Sequence, residues 1–223
     1  MNEIDDREMR WLLEELCDPF AVLPLQDVAS SLNEAIKESQ EAFFERGGPS
    51  GVARAFWDVP MEQLDHSIGV ALGSIFVLGQ AAITQAVSIV SRVRQLTNGH
   101  PAIPSRKRSI LESQAGAMTD SGMSKMVVID TGANYFKHHH EWPNDWYNAG
   151  DGSNRQSHTI QDALRMGLTG NDLTRNLWHI VHHLDADTRD LQAIPMLVHE
   201  WRERVARNFS QALNVEVFWL TEA

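Results

Sequence analysis

The residues best equipped for chemistry lie in one run, "ANYFKHHHEWPNDWYNAG" at 133–150. If the run begins as a helix, Asn134 and His138 share a face one turn apart, and Asp130, Asn134 and Lys137 form a polar row. A histidine exchanges protons near neutral pH. A cation beside it can hold a phosphate while the imidazole acts as acid or base. Metal-independent ribonucleases use that chemistry, so His138, Lys137 and Asn134 are the catalytic candidates. The plainer alternative is that His138, His139 and His140 close a helix C-terminus, where positive charge suits the dipole.

Two tryptophans follow in the same stretch. Aromatic rings beside basic residues can stack bases, which makes Trp142, Trp146 and Arg155 the substrate-binding candidates. The same rings can instead pin a long loop to the core. A second histidine group, "NLWHIVHHLDADTRD" at 176–190, sets His179 and His183 one helical turn apart. That is a metal-ligand spacing, and Glu200 on the following helix could complete a site. Ile180 stands where a zinc-protease motif needs glutamate. Asp65 and His66 form a third pairing, most simply read as ordinary first-turn residues. Nothing resembles a phosphate loop, a dinucleotide fingerprint or a calcium loop, so no cofactor is expected.

Within a helical chain, "ANYFKHHHEW" resembles the HEPN superfamily. Its signature is a helix-borne Arg, usually followed by Asn, His or Asp, with a His four to six residues on. The Asn of that signature falls on Asn134 and the His on His138, while the Arg position falls on Ala133. The nearest upstream arginine is Arg108. The resemblance implies a helical bundle, a homodimer and an RNA-directed role of the phage-defence or toxin type. Because Ala133 replaces the arginine and Lys137 is not its equivalent in bidentate phosphate binding, the bundle and the dimer are implied more strongly than RNA cleavage.

The elements that must position these residues read as helices. Residues 3–17 put Met9, Leu12, Leu13 and Leu16 on one face, and 25–46 repeat the pattern until Gly47 and Gly48. Residues 61–96 read as one long helix with Asp58 and Pro60 at its start. It carries no charge between His66 and Arg92. Its length would cross a bilayer, but Ser74, Gln80, Thr84, Gln85 and Ser88 interrupt it, which favours a central core helix over a membrane span. Gly69, Ala71 and Gly73 would let another helix approach closely, within the chain or across a dimer.

Further helices are expected at 105–117, 124–140, 159–167, 171–185 and 187–213, with Asp172 or Asn171 as a cap and Pro195 kinking the last or marking its start. Pro143 ends the histidine helix, and 143–158 is a long polar surface loop. Alternation in "NVEVFWLTE" predicts a short C-terminal strand. The fold class is therefore all-α, a single domain over 1–223, with six to eight helices around the helix at 61–96.

Composition narrows the partners. Residues 1–65 carry 15 acids and 5 Lys/Arg, whereas 66–223 carry 15 acids and 14 Lys/Arg. The acidic N-terminal helices would repel a phosphate backbone and could hold a protein partner instead. The remainder tolerates RNA, although its densest basic run, "SRKRS" at 105–109, is short and reads as a solvated helix start. Cys17 is the sole cysteine, which excludes an intrachain disulfide. The polar N-terminus is no signal peptide, so a cytoplasmic location is expected.

Overall fold

The uncharged run from Ser67 to Ser91 forms the middle of α3 (Arg54–Leu96), a helix of 43 residues. A computed structural model describes residues 3–45, 54–113, 118–120, 122–148, 158–184 and 190–218. In chain order the other helices are α1 (Glu3–Cys17), α2 (Leu23–Glu45), α4 (Lys107–Ser113), α5 (Lys125–His138), α6 (His158–Arg165), α7 (Leu173–Leu184) and α8 (Ala193–Leu213). Among the described residues there is no strand, only an isolated bridge between Met118 and Ser124. Within the expected strand, Asn214 closes α8 in the left-handed conformation that helix ends favour, and residues 215–217 take no regular structure, while residues 219–222 lie outside the described residues.

α3 is the hub, packed against α1, α2, α5, α7 and α8, with α5 its main partner. By length and composition it could cross a membrane, yet half of its most apolar stretch is buried against these neighbours. It starts at Arg54, earlier than Pro60 suggested. One missing backbone donor does not stop a helix whose later turns are held by packing.

The small residues of α3 are used within the chain. A Cβ on Gly73 would lie 2.0 Å from Phe136 Cδ2, and one on Gly69 would lie 2.5 Å from Thr174 Oγ1. The arrangement is reciprocal, because a Cβ on Gly132 of α5 would meet the Phe76 ring of α3 at 2.8 Å. Each helix presses an aromatic ring into the other's glycine, which draws the two backbones together. Arg202 of α8 is fully buried and donates to the carbonyls of Glu15 at 3.0 Å and Leu16 at 3.3 Å. It thereby satisfies the end of α1, where a cation suits the dipole.

α4 and α6 lie against α5. Ser124, which precedes α5, donates its hydroxyl to Leu111 O at 2.8 Å and so fixes α4. Arg165 donates to Gly122 O at 3.1 Å and fixes α6 to the same turn. α4 begins at Lys107, so the "SRKRS" run straddles its N-terminus.

Candidate functional site

The polar row on α5 faces α3. Gln80, nearly buried in that helix, donates its amide to Asp130 Oδ1 at 2.7 Å and Asn134 Oδ1 at 3.1 Å. Its carbonyl oxygen accepts from Lys137 Nζ at 2.6 Å. Asp130 also pairs with Lys107 Nζ of α4 at 2.5 Å. One glutamine thus joins Asp130, Asn134 and Lys137, and through Asp130 reaches α4. Buried amides of this kind must be bonded on both ends. Gln80 meets that requirement and fixes the rotamers of three α5 side chains.

Asn134 lines a cleft of about 720 Å³ between α4, α5 and α6. Its carboxamide oxygen is committed to Gln80, and its Nδ2 makes no hydrogen bond among the described residues. The cleft is also lined by Arg106, Lys107, Arg108, His158, Arg165, Asp130 and Asp162. Lys107 is neutralised by Asp130, and Arg108 forms a two-pronged pair with Asp162, the second contact at 3.2 Å. Partial burial works against the Arg108 charge. The hydrogen bonds it donates to Asp162 and to Glu112, 2.5 Å away, outweigh it and hold the guanidinium above its usual pKa. Arg106 and Arg165 are exposed and have no carboxylate partner among the described residues. In a chain of net charge −11 this cleft is a local cationic surface.

His138 does not line this cleft. It ends α5, exposed, with Nδ1 3.1 Å from Glu141 Oε1. That hydrogen bond, the largest influence, and the nearby charges of His138 and His140 hold the Glu141 carboxyl below its usual range. Asn134 and His138 share the helix face that sequence spacing gives them, yet one is turned to Gln80 and the other to solvent. Lys137 lies beside Asn134 through Gln80. His139 turns its Nδ1 to the carbonyls of Tyr135 at 3.2 Å and Phe136 at 3.1 Å, and so closes the helix end. The helix stops at His138, and 139–141 form a short 3-10 turn.

The tryptophans anchor the chain after that turn. Trp146 is 2% exposed, in edge contact with Trp142 at 4.9 Å and Tyr147 at 5.8 Å, near Tyr135, and donates its indole N–H to Asn171 Oδ1. With so little ring surface open, Trp146 serves as a brace rather than a stacking platform; Trp142 is half-buried. Burial raises the Tyr135 phenol pKa, against the hydrogen bond from Asn176. Arg155, the remaining substrate-binding candidate, lies outside the described residues.

His179 and His183 each bring Nε2 to the Met166 carbonyl, both at 2.9 Å. Bonding there requires Nε2–H on both rings, which directs those nitrogens to the end of α6. Asp172 caps α7 by accepting from Arg175 N at 2.9 Å, as the spacing indicates. Glu200 lines a second cleft of about 460 Å³ with His183, apart from His179. Among the described residues no three His, Cys, Asp or Glu gather as a metal would require.

Sequence spacing placed Asn134 and Lys137 in one polar row but did not point to Gln80, which joins them, or to His158, Asp162 and Arg165, which line the cleft. Its only hint of the cleft was the basic run at 105–109. No protein-family model, no curated protein and no solved structure matches this chain.

Proposed function

We propose that this chain is a HEPN-like, RNA-directed protein that holds RNA phosphates in the cleft between α4, α5 and α6. The observation that carries this reading is that Arg106 and Arg165, without carboxylate partners, share one cleft with Asn134 and His158. Backbone phosphates are held by cations that are not already neutralised, and the surrounding acidity would steer RNA toward this basic cleft. Arg106, just before α4, and Arg165, at the end of α6, are the guanidinium groups that this reading sets in place of the one that Ala133 leaves missing on α5. Asn134, fixed by Gln80, offers Nδ2 to the bound strand. Should RNA be cut, His138 at the helix end and His158 in the cleft are the groups able to move the proton. A homodimer of the phage-defence or toxin type, in the cytoplasm, belongs to this reading on the strength of the α5 motif.

The experiment is binding and cleavage of bulk RNA by the wild type, Arg106→Glu, His138→Ala and His158→Ala. Binding lost in Arg106→Glu is expected, and loss of cutting in one histidine variant would name the acid or base. A wild type that neither binds nor cuts RNA at low salt ends the proposal.

A second reading has its own observation. Trp11 of α1 is 60% exposed and Phe20, just after it, is 71% exposed, both within the acidic segment. Large exposed aromatics mark protein-partner surfaces. A partner retained by the wild type and lost with Trp11→Ser and Phe20→Ser, from a protein inert toward RNA, would favour it.

A further inference from the structure

We infer that the cleft takes a terminal phosphomonoester, at an RNA end or on a free nucleotide, in preference to an internal phosphodiester. This rests on the reading of the cleft as a phosphate site. A monoester carries a charge of about −1.5 to −2 and three strong acceptor oxygens, whereas each phosphate within a strand carries one charge.

The cleft matches the first description. Its two cations without carboxylate partners, Arg106 and Arg165, balance one doubly charged group. Ser109 and Thr159 line the same space, and neither hydroxyl makes a hydrogen bond among the described residues. Arg106 likewise spends no donor on a protein acceptor there. His158 and Thr159 belong to the first turn of α6, which contains no acidic residue, and that helix lies along the cleft from His158 to Arg165.

The flanks disfavour a row of phosphates. Lys107 and Arg108 are already bonded to Asp130 and Asp162. A second phosphate along a strand would therefore find no further Lys or Arg free of a carboxylate among the described lining residues. A volume of about 720 Å³ lies within the range for one small-molecule ligand. Asn134 Nδ2 and Gln161 remain as polar groups for the sugar or base of that nucleotide.

The test is calorimetric titration of the full chain with a short RNA bearing a 5′-phosphate, the same RNA with a 3′-phosphate, the same RNA with hydroxyls at both ends, and adenosine 5′-monophosphate. At least one phosphorylated form should bind about tenfold or more tighter than the hydroxyl form. Arg106→Gln should erase that difference without changing the thermal melt, and Arg165→Gln, which also loses the bond to Gly122 O, should erase it too. Equal affinity for phosphorylated and hydroxyl RNA overturns the inference and leaves the RNA reading standing. Binding of the monophosphate with no binding of any RNA sustains the inference and removes RNA as the ligand. No binding of any of the four overturns both, and a preference that survives in Arg106→Gln and Arg165→Gln overturns the assignment to this cleft.

Discussion

Gln80 and Asn134, on α3 and α5, meet through a 3.1 Å hydrogen bond that fixes which end of the asparagine faces the cleft. The same glutamine accepts from Lys137 and donates to Asp130. A single side chain on the hub helix therefore orients the polar face of α5.

Replacing Gln80 by leucine should destabilise the fold by about 1–3 kcal/mol, because Asn134 Oδ1 and Asp130 each lose a donor at a half-buried position. Urea denaturation measures the loss. The same variant should weaken RNA binding less than Arg106→Glu does, since Gln80 acts on the cleft only through Asn134 and Asp130. An unchanged denaturation midpoint would show that the network holds nothing in place.

Gly73→Ala should cost more than an ordinary helix glycine gains on becoming alanine. A Cβ there lies 2.0 Å from the Phe136 ring, so α3 and α5 must separate or the ring must leave its rotamer. Overpacking of this kind costs about 1–3 kcal/mol, against a propensity gain of up to about 1 kcal/mol. Combining Gly73→Ala with Phe136→Leu should recover part of the loss in a double-mutant cycle. Simple additivity of the two changes would mean that they do not touch.

Cys17 should make stability fall in alkaline solution. Burial is the largest influence, reinforced by Glu203, and together they raise the thiol from 9.0 to about 11. The folded thiol keeps its proton while the unfolded one loses it. The resulting stabilisation is complete below about pH 9 and disappears as pH rises toward 11, with an upper limit of about 2–3 kcal/mol. Denaturation of wild type and Cys17→Ala across that window isolates the effect: the difference in stability between them should shrink as pH rises. The same burial predicts slow reaction of Cys17 with thiol reagents until the protein unfolds.

The helices were legible because their apolar positions recur at 3.6-residue spacing, and α1 could be placed from Met9, Leu12, Leu13 and Leu16. The row Asp130, Asn134 and Lys137 was legible for the same reason. Its partner was not. Gln80 stands 54 residues before Asn134, and in sequence it is one polar residue interrupting an apolar run. The cleft required a still longer reach, since Arg106 and Arg165 come from segments that only the fold brings together. The surroundings of the triple histidine were not legible either. His138 has the register to join Asn134, but α5 ends there and its ring turns to Glu141. The missing arginine at Ala133 remains informative, because Ala133 is fully buried and does not line the cleft, whose arginines come from the start of α4 and from α6.

The most direct measurement is the salt dependence of RNA affinity for the wild type and for Arg106→Glu with Arg165→Glu. Each lost phosphate contact should lower the slope of log K against log salt by about 1, with binding weakened across all RNA sequences. A cleft that holds phosphate gives a steep wild-type slope and a shallow, weak variant. A variant that binds RNA with the wild-type affinity and slope would contradict the assignment of this cleft.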